Sequence, residues 1–179
     1  RAAEKALAML AEGKHIALVT DAGTPGISDP GSELIALIRA RCPSVASSGG
    51  GNKGIAKIEA IPGPSALTAA LSIAGLSTAS FVFLGFLPHK KGRQTFFKEI
   101  AREKRAVVFY ESPHRIEKML ASLALVLPPT RHLAVCRELT KMYEEVISGT
   151  VKEVQAHFAA HRSALRGEFV VIIEAGTRL

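Results

Sequence analysis

The feature that most constrains this chain is the stretch Asp21 to Gly31, D-A-G-T-P-G-I-S-D-P-G, at the end of the apolar run Ile16-Ala17-Leu18-Val19. An unbroken apolar run entered from the turn Glu12-Gly13-Lys14 predicts a parallel strand, buried on both faces, over His15 to Thr20. The glycine-rich loop then lies at a strand's carboxyl end. Open α/β sheets bind ligands outside those ends, and glycines admit a ligand to backbone N–H groups without side-chain clash. Asp21 and Asp29 flank the G-T-P segment, which is more chemistry than a Pro/Gly turn requires.

Strands and helices alternate along the rest of the chain, the signature of an α/β fold. Helix Ala2 to Glu12 precedes the first strand, and helix Ser32 to Arg41 follows its loop. The chain opens inside a helical pattern (Ala3, Leu7, Leu10), so the expectation is a fragment whose amino-terminal strand or strands are missing. Cys42 to Gly54, rich in Ser, Gly and Asn, reads as a flexible surface insertion. Its Gly49, Gly51 and Gly54 satisfy G-x-G-x-x-G, but no strand precedes them and no helix follows, so a dinucleotide site is rejected.

A short strand, Lys57 to Ile61, leads to P-G-P-S-A at Pro62 to Ala66. Pro64 is placed at the first position of a helix whose small residues Ala66, Ala69, Ala70 and Ala74 allow close packing, and Gly75 marks its end. The first N–H groups, around Ser65 and Ala66, suit a carboxylate or other polar ligand group. Two glycine-rich turns at strand ends of one sheet can converge on one ligand. The first domain is expected to close near residue 77, giving domains 1–77 and 78–179.

The second domain opens with strand Phe81 to Phe86 and the basic loop L-P-H-K-K-G-R-Q. Its Lys90, Lys91 and Arg93, with His89, stand beside Phe96 and Phe97, a pattern suited to phosphate contact and base stacking. Helix Thr95 to Arg102 and strand Ala106 to Tyr110 follow. In F-Y-E-S-P-H-R, Ser112 is a candidate N-cap and Pro113 the first helical residue, with the apolar stripe Ile116, Met119, Leu120 and Leu123 seating the helix. Strand His132 to Cys136 delivers R-E-L-T-K, Arg137 to Lys141. Tyr143 to Gly149 reads as an antiparallel strand, Thr150 caps helix Val151 to His161, and R-G-E precedes strand Phe169 to Glu174. The strands ending at Tyr110 and Cys136 are placed side by side, so Glu111, Arg115, Arg137 and Glu138, at their ends, are expected to line one cleft.

Composition narrows the partners. The formal charge of +7 and a pI near 9.7 favour a polyanion, nucleic acid first. Cys42 and Cys136 have no metal-type spacing and read as reduced thiols in a reducing compartment, so no metal is expected. No apolar stretch approaches the roughly 18 residues of a membrane span, so the expectation is a soluble protein without a membrane partner.

Six motifs in order now carry a resemblance: DAGTPGISDPG, PGPSA, GFLP (Gly85 to Pro88), FYESPHR, RELTK and RGEFVVII (Arg166 to Ile173). The chain resembles the tetrapyrrole methylase superfamily, and within it the ribose 2′-O-methyltransferases that act on a cytidine of small-subunit (16S-type) ribosomal RNA. The resemblance covers all but the Ser/Gly insertion. It implies two α/β domains, S-adenosyl-L-methionine in a cleft between them, and a homodimer. By motif matching, cofactor contacts fall to Gly23, Thr24, Ile27, Ser65, Ala66, Leu139, Gly167 and Glu168. The family's amino-terminal strand with its P-T-P-I-G loop has no counterpart here. The insertion exceeds the family's usual short turn, hinting at a plastid or mitochondrial version in place of a cytoplasmic bacterial one.

A sulfonium methyl is already electrophilic, so such an enzyme must align the ribose oxygen and help remove its proton. Glu111, His114, Glu138 and Asp21 are the candidate acceptors. Arg115, Arg137 and Lys141 suit phosphate, joining Lys90, Lys91 and Arg93 as candidate RNA contacts. Two other readings stay open: a small-molecule tetrapyrrole methyltransferase of the same fold, and a non-catalytic RNA-binding fragment.

Overall fold

The computed structural model describes residues 2–41, 56–88 and 92–176. Lys90 and Lys91 lie outside the described residues, as do His89 and the insertion with its G-x-G-x-x-G glycines Gly49, Gly51 and Gly54. The chain divides into two compact units, residues 1–64 and 65–179.

In the first unit α1 (Ala2–Ala11) and α2 (Ser32–Arg41) pack together, burying Leu7 and Ile38. Arg41 donates to Glu4 across the pair at 2.9 Å. The expected strands over His15 to Thr20 and Lys57 to Ile61 do not form. A strand exists through its ladder, and neither segment has a paired neighbour among the described residues. Ile16, Leu18 and Val19 are accordingly 40%, 38% and 82% exposed, the reverse of a strand buried on both faces.

The second unit holds β1 (Phe81–Phe86), β2 (Ala106–Glu111), β3 (His132–Arg137), β4 (Glu145–Thr150) and β5 (Phe169–Ile173) in one sheet, ordered β1-β2-β5-β3-β4. β1 and β2 run parallel and every other neighbouring pair antiparallel. β2 and β3 are therefore not adjacent as expected: β5 lies between them. Glu111 and Arg137 both register with Phe169, so the two charged strand ends share one rim of the sheet.

Alternation along the strands divides the core in two. Val107, Phe109, Leu133, Val135, Phe169, Val171 and Ile173 face α4 (Arg93–Arg102), α5 (Ile116–Ala124) and α6 (Val151–Ala160). Val108, Ala134, Cys136, Val170 and Ile172 face α3 (Ala66–Ile73), whose Ala70 lets the helix lie close to the sheet. The apolar stripe of α5 is buried as its spacing predicts, each such side chain contributing about 1.5–3 kcal/mol. Thr150 caps α6 through a capping box with Glu153.

Three predicted helix starts shift, that of α4 from Thr95 back to Arg93. Ser65, not Pro64, precedes the first turn of α3, leaving Pro64 outside the helix. α5 begins at Ile116, not at Pro113, because Ser112 to Arg115 is consumed by a turn in which the Arg115 N–H donates to the Ser112 carbonyl at 3.0 Å and Arg115 Nε donates to Ser112 Oγ at 3.0 Å.

Candidate functional site

Three constellations carry the predicted residues. In the first unit the loop 21–31 reverses through four positive-φ residues, Gly23, Gly26, Ser28 and Gly31. At Gly31 the reason is packing: an added Cβ would stand 2.7 Å from Leu18 Cδ2. Thr24 Oγ1 donates to the Pro64 carbonyl at 3.0 Å, and the Cβ position of Gly23 faces the same oxygen at 3.8 Å. The two glycine-rich turns thus meet. A shallow, solvent-open hollow of about 370 Å³, lined by Leu18 to Asp21 and Asp29 to Gly31, adjoins the loop. Ile27 is exposed beside it in sequence. Ser65 caps α3 without a side-chain hydrogen bond, and Ala66 is the exposed first residue of that helix.

The second constellation is centred on Glu111, whose side chain is wholly buried at the end of β2. Oε2 accepts from Arg93 Nη2 at 2.9 Å, while Oε1 accepts from the Ser112 N–H at 2.8 Å and lies 2.8 Å from Arg115 Nε. Arg93 also donates to the Pro88 carbonyl at 3.0 Å, and Arg115 to the Leu87 carbonyl at 3.2 Å. One carboxylate between two guanidinium groups leaves the trio with one net positive charge. Its bonds staple the strand exit at residues 87–88 to the turn at 112–115. His114 on that turn is exposed.

The third constellation joins R-E-L-T-K to R-G-E. Glu138 and Glu168 are bonded twice: the Glu138 N–H donates to the Glu168 carbonyl at 3.0 Å, and the Glu168 N–H donates to Glu138 Oε1 at 2.9 Å. Lys141 Nζ bridges both carboxylates, at 3.0 Å and 2.7 Å. The Glu168 N–H first, and Lys141 second, hold the Glu138 carboxyl below its usual range. The two carboxylates in turn raise the Lys141 ammonium. Gly167 is required here, since its φ is +95° and a Cβ would fall 2.4 Å from Glu138 Cγ. Glu138 and Thr140 both adopt left-handed backbone (φ 49° and 64°), and Leu139 between them packs on the α3 side of the core. Arg137 donates to the Arg166 carbonyl at 2.8 Å and lies 3.6 Å from Glu145.

Of the two carboxylates that are candidate proton acceptors, Glu111 has both oxygens engaged by internal donors, and Glu138 has Oε1 engaged by the Glu168 N–H and Lys141. Arg93, Arg115, Arg137 and Lys141, candidate phosphate ligands, each have an internal carboxylate. Sequence reasoning missed the Arg93–Glu111 pair: the residues are separated by 18 positions, and only the meeting of the start of α4 with the end of β2 unites them. Cys136 is buried, its thiol pushed up to about 11 chiefly by that burial, so it does not serve as a nucleophile. Among the described residues there is no group of three or more His, Cys, Asp or Glu able to hold a metal, and no helix is long and apolar enough to cross a membrane.

Comparison with known proteins bears on all three constellations. The family model for Tetrapyrrole (Corrin/Porphyrin) Methylases matches residues 1–155. Proteins named Ribosomal RNA small subunit methyltransferase I are similar along most of the chain. The one from Xylella fastidiosa is 42% identical over 173 residues, covering 96% of this chain and 59% of its own length. That from Halalkalibacterium halodurans is 45% identical over 166 residues, covering 92% and 52%. That from Thermotoga maritima is 36% identical over 167 residues, covering 93% and 68%. The chain thus spans between about half and two thirds of the length of these relatives. Among solved structures, the methyltransferase CobJ superposes with a TM-score of 0.65 at 22% identity, covering 99% of this chain and 72% of its own. The cobalt precorrin-4 methyltransferase CbiF gives 0.63 at 16% identity, covering 97% and 69%. These two neighbours speak for the fold alone.

Proposed function

Because the chain belongs to the tetrapyrrole (corrin/porphyrin) methylase family, we propose that it is the greater part of an S-adenosyl-L-methionine-dependent methyltransferase that 2′-O-methylates a cytidine ribose in small-subunit ribosomal RNA. The observation carrying this reading is the 36–45% identity, over more than nine tenths of the chain, with proteins whose names state a ribosomal RNA substrate. The net charge of +7 supports a polyanionic partner.

The backbone at Gly23 is open and held against Pro64 by Thr24, so this loop fits a ligand that needs close approach to main-chain groups. Gly23, Thr24 and Ile27 in the first unit, and Ser65, Ala66, Leu139, Gly167 and Glu168 in the second, are the proposed cofactor contacts. The cofactor would supply an electrophilic sulfonium methyl. The protein's task is then to hold the ribose oxygen in line with that methyl, exclude water and accept one proton. His114, on an exposed turn, is the proposed acceptor, its ring nitrogen taking the proton from the 2′-hydroxyl. Glu111 is proposed to act by position, since both its oxygens are already engaged, and Glu138 by joining its own turn to that of Glu168. Lys90, Lys91, Arg93, Arg115, Arg137 and Lys141 are the proposed phosphate contacts.

The same proposal includes a homodimer, domains 1–77 and 78–179, and a cytoplasmic site of action, or a plastid or mitochondrial one for a eukaryotic owner. The test is methyl transfer from labelled cofactor to unmodified small ribosomal subunits and to free ribosomal RNA, followed by nucleoside mapping. Label recovered as 2′-O-methylcytidine is the expected result. Label absent from RNA but accepted by a tetrapyrrole assigns the chain to small-molecule methylation.

A further inference from the structure

β1 is irregular at its exit. Phe83 registers with Val108 and Phe86 with Tyr110, so three steps along β1 correspond to two along β2. β1 therefore carries one extra residue, a bulge, and Gly85 within it has φ 62°. Side chains alternate along a strand, so three regular steps would turn Phe86 to the face opposite Phe83, onto the α4 to α6 core. The bulge reverses that. Both phenylalanines flank Tyr110 on the α3 side, edge to face, with ring centroids at 5.0 Å and 5.2 Å. Phe86 remains 57% exposed.

The next two residues, Leu87 and Pro88, receive through their carbonyls the guanidinium groups of Arg115 and Arg93. An exposed aromatic ring thus ends β1, and the two residues that follow it in the chain hold a pair of guanidinium groups at the same rim of the sheet, which with Glu111 carry one net positive charge. Nucleobases without a paired partner stack on aromatic side chains, and cations beside the ring favour the adjoining phosphate. Two guanidinium groups at the same rim, in a chain of net charge +7, favour a polyanionic partner for this surface.

We propose that Phe86, backed by Tyr110, is a stacking platform for one unpaired nucleobase of the RNA substrate. This rests on the reading of that substrate as RNA.

The sequence contains no tryptophan, so Phe86→Trp places a single indole on the platform. Its emission should be quenched when an unmodified small-subunit ribosomal RNA transcript is added. Phe86→Ala should weaken binding of that RNA about 5- to 150-fold, the span that about 1–3 kcal/mol per stacked base converts to at about 1.4 kcal/mol per decade. The slope of affinity against salt should not change, because stacking releases no counterions. Phe86→Tyr should bind like the parent. Undiminished RNA affinity of Phe86→Ala, or unquenched emission of Phe86→Trp, overturns the platform while leaving an active wild type as evidence for the substrate. Indole emission that depends on protein concentration without RNA overturns it too, by assigning Phe86 to a contact between copies. A wild-type protein that neither binds nor methylates the transcript overturns the substrate reading itself, and the platform with it.

Discussion

Glu138 shows what a single residue is asked to do. It occupies left-handed backbone at φ 49°, which a non-glycine residue adopts only at a cost. The compensation is the bond accepted from the Glu168 N–H and the bridge to Lys141. Glu138→Ala should lower stability by about 1–2 kcal/mol in urea unfolding. Gly167→Ala should cost about 1–3 kcal/mol, partly through the overlap with Glu138 Cγ and partly through its own positive φ. Combining the two should cost less than their sum, because the overlap disappears with the glutamate side chain. Strict additivity would show that the two turns are not locked together. At Glu111 the expectation differs. Removing a carboxylate flanked by two guanidinium groups leaves buried cations unpaired, so Glu111→Ala should cost about 3–5 kcal/mol, read by the same unfolding curves, and should loosen the turn that carries His114.

Among the elements, the carboxyl end of α4 is the most heavily tied. Arg131 donates to the Ala101, Glu103 and Glu174 carbonyls at 3.2, 3.0 and 2.9 Å, and its burial pushes the guanidinium below its usual range. Arg131→Met should remove at least about 2 kcal/mol, since these carbonyls lose their donor where water enters poorly. Beside it, hydrogen bonds from Arg105 lower the Glu103 carboxyl from 4.5 to about 2. A depressed carboxyl stabilises the fold above its unfolded value and loses that contribution as pH falls through the folded one. The Glu103 contribution should therefore be complete above pH 4.5 and fade toward pH 2. Arg105→Ala should flatten that portion of the stability profile, and an unchanged acid limb would show that Glu103 contributes nothing there.

Much at this scale is legible in the sequence. The bounds of α2 and β1, the stripe of α5 and the Thr150 cap follow from local spacing and capping chemistry. The ladderless segments 15–20 and 57–61 do not, because apolar composition reports burial preference and not the presence of a neighbour. The position of β5 between β2 and β3 is equally hidden: nothing in R-G-E-F-V-V-I-I states which strands it will separate. For the candidate site, motifs placed Glu111, Arg115 and Glu138 at strand ends, while their partners came from distant positions that no local pattern connects.

For the whole molecule the net charge of +7 sets the association behaviour. Replacing Lys90 and Lys91 by Ala should reduce the slope of log affinity against log salt by roughly one unit per lost phosphate contact. Arg93→Ala should behave otherwise, lowering thermal stability as well, because Arg93 is a partner of buried Glu111. Equal stability of the two kinds of variant would return Arg93 to a simple surface role. The strand order carries a consequence for assembly. β5 comes last among the described strands yet occupies the middle of the sheet. Until it inserts, the parallel pair β1 and β2 and the hairpin of β3 and β4 each present an open edge of unpaired backbone groups, the kind that recruits foreign strands. Between Thr150 and Phe169 a nascent chain would hold two half-sheets with nothing between them, and closure requires contacts far apart in sequence, which form slowly. Closure of this sheet is then a single event that waits for β5, and a chain halted before Phe169 is a strand acceptor without its own strand.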